Sequence, residues 1–280
     1  MEGRLGVRKT YKLFIDGRFP RSESGRTFRY ASRDGAVTVQ LSEASRKDLR
    51  MAVRAARRAY PGWRARSGYN RGQILYRIAE MVEDRSETFI GQLALQATIG
   101  SAQREVSEAI DLLIWYAGWC DKYQQVTGNM NPVAGPYFNI STPEPMGVVG
   151  VVAPGQPGLL GLVGALAPVM VSGNAAVLLA SSSQAIAAVT FAEAVATADV
   201  PPGVVNILTG SSAELAPWMA GHMDINALDL SGVPLESSPT LEEAASHNLK
   251  RIGRWDASDR NLNRILAFTE IKTVWHPKGR

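Results

Sequence analysis

The sequence predicts an α/β protein built on a doubly wound, mostly parallel sheet, with a separate region of helices and short strands before it. Three observations carry that prediction. The run Pro145 to Ala192 contains no charged residue, as expected of strands and helices buried on all sides. Through the same region apolar stretches of strand length alternate with stretches of helix length, the pattern of a parallel sheet with helices on both faces. The 280-residue chain, 45% hydrophobic and 20% charged, is long enough to bury a large core.

In chain order, Tyr11 to Phe19 (YKLFIDGRF) reads as short strand, with Asp16-Gly17 as a hairpin signal. Val37 to Leu41 reads as a second strand. From Ser45, residues Leu49, Ala52, Val53, Ala56 and Tyr60 recur at helical spacing, and Pro61-Gly62 predicts the end of that helix. A second helix carries Ile74, Leu75, Ile78, Met81 and Val82 on one face, and a third covers Thr88 to Ala97. A fourth, Ala102 to Gln125, turns Val106, Ile110, Leu113, Ala117 and Cys120 inward. Val126 to Pro145 is rich in turn residues, with Tyr137 to Ile140 in strand order, and reads as a protruding ribbon.

The uncharged region then runs as strand Gly147 to Ala153, helix Gly158 to Met170, strand Ala175 to Leu179, helix Gln184 to Ala196 and strand Val204 to Leu208. Helix Ala213 to His222 and strand Ile225 to Leu230 follow, and Ile265 to Trp275 alternates apolar and polar residues as an edge strand does.

Several function classes are disfavoured. A membrane-spanning helix needs about 20 predominantly apolar residues in a row, and Pro154, Pro157, Pro168 and Gly173-Asn174 interrupt the uncharged run. The formal charge of +4 comes from scattered residues without the basic, aromatic-studded stripe that nucleic acid demands. The N-terminus MEGRLGVRKTYKLF shows no apolar signal core, and a single cysteine suits a reducing compartment, so the cytoplasm is the expected location. Cys120 falls on a core stripe, where a thiol behaves as a small hydrophobe. His222, His247 and His276 are too far apart in sequence to form a ligand pattern. Glu236, Glu242 and Glu243 read as helix-start residues and Ser181-Ser182-Ser183 as a turn or cap.

These pieces, in this order, resemble the aldehyde dehydrogenase superfamily over almost the whole chain. The resemblance rests on Ile15-Asp16-Gly17, Tyr116-Ala117-Gly118-Trp119 and Glu144-Pro145-Met146-Gly147-Val148-Val149-Gly150 with Ala153-Pro154. Leu166-Ala167-Pro168, Gly173-Asn174, Pro201-Pro202-Gly203-Val204-Val205-Asn206 with Thr209-Gly210, and Lys272-Thr273-Val274-Trp275 extend it. The resemblance implies a Rossmann-like cofactor-type domain over residues 1–125 and 146–256. It also implies an oligomerisation ribbon and closing strand over 126–145 and 257–280.

Where that family handles cofactor, this sequence departs. The family's Trp-Asn-aromatic-Pro, whose Asn stabilises an oxyanion, corresponds to Gly155, Gln156, Pro157 and Gly158. Its Lys-Pro-Ser-Glu, whose Lys and Glu hold a ribose, corresponds to Leu179, Ala180, Ser181 and Ser182, and Leu offers no donor. Its Gly-Ser-Thr-Glu beside the diphosphate corresponds to Gly232, Val233, Pro234 and Leu235, and Pro234 lacks a backbone donor. Gln156, Leu179, Ser182, Gly210 and Gly232 thus mark a degenerate cofactor pocket, expected to bind NAD(P) weakly if at all.

The family's general-base segment and its catalytic domain with the nucleophilic Cys have no counterpart. After Leu249-Lys250-Arg251-Ile252 the chain passes through a polar link, Ala257 to Asn263, into the closing strand. The resemblance therefore implies a non-catalytic form, similar to the second half of two-part aldehyde dehydrogenases. Such a subunit would pair with a complete aldehyde dehydrogenase, or with itself, through Tyr137–Ile140 and Ile265–Trp275. Two alternatives remain open at this point: a nucleotide or small-molecule sensor with a remodelled pocket, and an oxidoreductase subunit completed in trans.

Overall fold

A computed structural model describes residues 9–279; residues 1–8, on which part of the leader reading rests, lie outside it. The first segment holds isolated bridges instead of the expected strand Tyr11–Phe19: Ile15 pairs with Arg18 across the turn, and Phe14 pairs with Ile207. Asp16 and Gly17 adopt φ of 55° and 72°, so the hairpin turn forms as expected. Its two arms are too short to make a ladder of their own.

Strand β1 (Thr27–Ala31) and strand β2 (Thr38–Ser42) then form an antiparallel ribbon, of which the sequence pattern showed only the second strand. Helix α1 (Arg46–Arg64) starts on a capping box of Ser45 and Asp48 and continues through Pro61, past its expected end. Trp63 explains the extension: it is fully buried and donates its indole N–H to the Met170 carbonyl. That burial, worth a few kcal/mol, offsets the one helical bond a proline removes.

Helices α2 (Gly68–Glu83), α3 (Ser86–Leu93) and α4 (Ile99–Ala117) follow, and a short α5 (Tyr123–Thr127) completes the helical region. The single helix expected over Ala102–Gln125 is thus two, broken at Gly118. Cys120 and Tyr123 still turn into the core beyond the break, three positions apart as on one helical face. Strands β3 (Asn129–Asn131) and β4 (Tyr137–Pro145) form the ribbon.

The remaining elements are β5 (Val148–Val152), α6 (Leu159–Val171), β6 (Ala175–Ala180), α7 (Ala185–Ala196), β7 (Val205–Thr209) and α8 (Ser212–Ala220). They continue as β8 (Ala227–Asp229), α9 (Ser238–Ser246), β9 (Arg251–Gly253), α10 (Leu262–Leu266) and β10 (Thr269–Pro277). Strands β7-β6-β5-β8-β9 lie in that order in one parallel sheet. Every residue of β5, β6, α6 and β7 is buried, which accounts for the uncharged run. One face of the sheet packs under α6, α7 and the helices α2 to α4; the other packs under α1, α8 and α9. The expected doubly wound α/β class is the fold found.

The second sheet is antiparallel, in the order β10-β4-β3, with Thr269 opposite Pro145 and Pro277 opposite Tyr137. Ile265, expected at the start of the closing strand, lies instead in α10, and the strand begins at Thr269. Asn261 caps that helical turn through Asn263 N–H, and Ile265 and Phe268 are fully buried. Two apolar residues three apart meet the core from a turn of helix, whereas in a strand they would face opposite sides.

Asn174 ties the two sheets together. Its buried side chain accepts from Gly147 N–H at 2.8 Å and donates to Ser172 Oγ at 2.8 Å and to the Phe268 carbonyl at 2.7 Å.

Candidate functional site

From β5 the chain moves outward to β6 and β7, then returns to place β8 on the other side of β5. In open α/β sheets the crevice at such a switch point, at the carboxyl ends of the strands, is where ligands bind. Here two loops meet there, Ala153 to Gly158 after β5 and Leu230 to Pro234 after β8.

The seam between those loops is closed. Gly232 N–H donates to the Val152 carbonyl at 2.8 Å, and a Cβ at Gly232 would lie 2.1 Å from the Ala153 oxygen. The loop is pinned from outside by Arg254, whose Nη1 donates to the carbonyls of Leu230 and Val233, each at 2.8 Å, and whose Nη2 donates to Ser238 Oγ. A diphosphate requires N–H donors converging on it; these carbonyls converge on a cation.

Beneath the loop lies Asp229, fully buried, with Oδ1 held by the N–H and hydroxyl of Ser231. Its Oδ2 has no hydrogen-bond partner among the described residues. Burial pushes its carboxyl above the usual aspartate range, against the opposing pull of the Ser231 hydrogen bonds and of Arg264 and Arg254.

The five expected pocket residues do not gather around one space. Gln156 is exposed on the β5–α6 loop and Ser182 is exposed in a short 3-10 turn. Leu179 is 3% exposed in β6, within the same apolar cluster as Val152, Val177 and Leu208. Gly210 has φ of 139° and packs against Glu43 and Ala44, where a side chain would meet the Ala44 nitrogen at 3.1 Å. Gly232 borders a cavity of about 480 Å³ between α8 and α9, walled by Ala213, Ala216, Pro217 and Leu241 with Ser237 and Thr240.

Neither those wall residues nor Arg254 and Asp229 stood out in the sequence. A lone carboxylate inside the apolar stretch Ile225 to Leu230 was the available signal for Asp229. Arg254 gave none, since it looks like an ordinary surface cation.

Nucleophilic chemistry is also ill served. Cys120 is 1% exposed, and burial pushes its thiol up to about 12, so thiolate is scarce at neutral pH. Among the described residues no group of three or more His, Cys, Asp or Glu is placed to hold a metal ion, and no helix is long and apolar enough to cross a membrane.

The sequence profile of the aldehyde dehydrogenase family matches residues 20–253. The chain is 31% identical over 244 residues to an aldehyde dehydrogenase of Davidiella tassiana, covering 86% of this chain and 49% of that protein. It is 34% identical over 257 residues to retinal dehydrogenase 2 of Gallus gallus, covering 87% and 48%. Among solved structures, a putative aldehyde dehydrogenase from Burkholderia cenocepacia superposes with a TM-score of 0.83 at 28% identity, over 88% of this chain and 50% of that one. PnpE of Pseudomonas sp. WBC-3, solved in complex with nicotinamide adenine dinucleotide, gives 0.82 at 27% identity, over 87% and 50%. The chain therefore spans about half the length of the relatives it matches. A doubly wound sheet with its attached antiparallel ribbon, the profile match across residues 20–253 and these likenesses together place the chain in the aldehyde dehydrogenase family.

Proposed function

We propose that this chain is a non-catalytic aldehyde-dehydrogenase-like subunit that assembles with a complete NAD(P)-dependent aldehyde dehydrogenase. One contrast carries the reading: the crevice at the switch point is closed by Gly232 and Arg254, while among the described residues no further strand covers the outer edge of the β10-β4-β3 sheet, and β10 is exposed from Glu270 to Pro277. Residues Tyr137, Phe138, Ile140, Ile271, Val274 and Trp275 expose apolar side chains on that sheet, and surfaces of this kind mark interaction sites.

The residues at the cofactor positions do not fit a dinucleotide. Leu179 is sealed in the core, Ser182 is short and exposed, and the Gly232 loop presents carbonyls to a guanidinium. We therefore assign this chain NAD(P) binding that is weak or nil and no catalytic step of its own. The burial of Cys120, which pushes its thiol up to about 12, supports that assignment, because covalent aldehyde oxidation needs an available thiolate.

The test is a tagged purification from the source cell followed by native mass determination, with NAD-dependent aldehyde oxidation measured on the pure chain. Recovery of a complete aldehyde dehydrogenase in fixed ratio, with no turnover by the pure chain, is the expected result. Turnover by the pure chain that is abolished by Cys120→Ser overturns the reading.

The cavity between α8 and α9 favours a second reading, a sensor of a nucleotide or another small molecule. Saturable binding in calorimetry that is lost in Ala213→Trp, a substitution filling the cavity mouth, would move this reading ahead of the first.

A further inference from the structure

Helix α1 carries its cations on one side. Arg46, Arg50, Arg54 and Arg57, with Lys47 and Arg58, fall within about 120° of arc, opposite the buried Leu49, Ala52, Ala55 and Ala56. Arg46, Arg50 and Arg54 follow one another at four-residue intervals, about 6 Å apart along the axis.

The acids beside this row are engaged elsewhere. Glu23 pairs with Lys47 at 3.0 Å and Asp16 with Arg58 at 2.8 Å, while Arg57 donates to the Asp224 carbonyl and to Asn226 Oδ1. Arg50 and Arg54 are exposed and meet no carboxylate among the described residues. Like charges one turn apart on a helix repel, a cost that an anionic partner would relieve.

Helix α8 forms the other wall. Trp218, 50% exposed, stacks on Arg46, whose guanidinium stands 3.5 Å from the ring centroid. Four residues on, just past the helix end, His222 is held below its usual range by burial first and then by the charges of Lys250, Arg50 and Arg57, against the opposing pull of Asp224. Lys250 is itself 8% exposed, donates to Asn248 Oδ1 and meets no carboxylate among the described residues. The valley between α1 and α8 thus concentrates positive charge beside an exposed Trp.

We propose that this valley docks an acidic segment of a partner protein, its carboxylates meeting Arg50 and Arg54 in a row and an apolar side chain lying against Trp218. Carboxylates one turn apart on a helix, or two residues apart on an extended segment, recur at about 6–7 Å, the interval of the guanidinium groups. Arginine grips carboxylates with two parallel hydrogen bonds, and Trp and Arg are the side chains that most often carry binding energy at interfaces. A nucleic acid fits less well. Glu23 at the start of the row, Asp16 past its end and Asp224 at its side would oppose a phosphate chain running beyond it, and Arg46 already occupies a face of Trp218 on which a base would stack. The ribbon and the closed crevice take no part in this docking, so it holds or fails independently of the assembly role.

Fluorescence anisotropy of a labelled peptide tests the docking. The probe is a helical peptide with glutamate at every fourth position and leucine at one end, set beside the same peptide with glutamine in place of glutamate. The chain is expected to bind the glutamate peptide, more weakly as salt rises, and to leave the glutamine peptide free. Arg50→Gln/Arg54→Gln is expected to weaken binding about tenfold. The control Arg104→Gln/Arg260→Gln removes as much charge from exposed positions elsewhere and should change binding less than about twofold. Thermal melting checks that both variants are folded.

No binding of the glutamate peptide, equal binding of the glutamine peptide, or equal loss in the two double variants overturns the proposal. Single-stranded DNA or phosphatidylserine vesicles bound more tightly than the peptide, with the same dependence on Arg50 and Arg54, would overturn it in favour of a phosphate-bearing ligand.

Discussion

Arg254 and Val233 are joined by a hydrogen bond of 2.8 Å from guanidinium to carbonyl, and the same nitrogen reaches Leu230. One side chain thereby fixes both ends of the loop that closes the switch point.

Removing that guanidinium while keeping the stem, Arg254→Met, leaves two carbonyls without their charged donor. Hydrogen bonds to charged groups contribute about 1.5–3 kcal/mol, so a destabilisation of that size is expected in urea unfolding. A loss below about 0.5 kcal/mol, the range of ordinary surface substitutions, would show that the loop holds itself.

Asp229 predicts a pH effect of unusual sign. Its carboxyl is raised in the folded chain by burial, so the folded state binds its proton more readily than the unfolded state does. Above the folded pKa the ionised group carries a desolvation penalty; below the unfolded value, about 3.9, both states are protonated and the penalty is gone. Asp229→Asn, which keeps an acceptor for Ser231, should therefore raise the melting temperature at pH 7 to 8, and the advantage should shrink as the pH is lowered toward 4. A variant less stable than the parent at pH 8 contradicts this account.

Cys120 should be silent until the protein opens. With its thiol pushed up to about 12 and 1% exposed, labelling by a thiol reagent at pH 7.5 should lag that of a free thiol by more than a hundredfold. It should become complete across the urea transition. Rapid labelling of the folded chain would place the thiol elsewhere than in the core.

Gly68 marks a close approach of α2 to the turn after α4. A Cβ there would lie 2.4 Å from the Cys120 carbonyl oxygen and 2.9 Å from the Asp121 Cα, both backbone atoms. Gly68→Ala should force the start of α2 away from the turn after α4, at about 2 kcal/mol or more. Gly62→Ala, with nothing within 4 Å of its Cβ, is the matched control and should be neutral or slightly stabilising.

The sheet was legible in the sequence because its strands are buried on both faces, so Val148 to Val152 and Ala175 to Ala180 read as unbroken apolar runs. Failures came where long-range packing overrode local signals. Trp63 carried α1 past Pro61, and Ile265 and Phe268 drew α10 out of what looked like alternation. Strand β1, TFRYA, has one buried residue, Tyr30, and so left no periodic trace.

For the candidate site, sequence position and spatial position diverged. Leu179 and Gly210 could be aligned to a ligand-handling pattern, but which way a strand residue points depends on its register in the sheet. That register sent Leu179 into the core. The contact that closes the crevice joins Arg254 to residues more than twenty positions earlier, a distance at which one sequence carries no pairing signal.

The register of β10 on β4 also sets an order of events. Tyr137 waits for Pro277 and Pro145 for Thr269, so β4 is made long before its partner strand and must stay apart from other chains meanwhile. Contacts this distant in sequence close slowly. On the ribosome, β4 therefore carries a bare edge throughout synthesis of the parallel sheet, and the complete β10-β4-β3 surface comes into being only after that sheet has been translated. The joining we propose is thereby deferred to chains that already hold the whole parallel sheet.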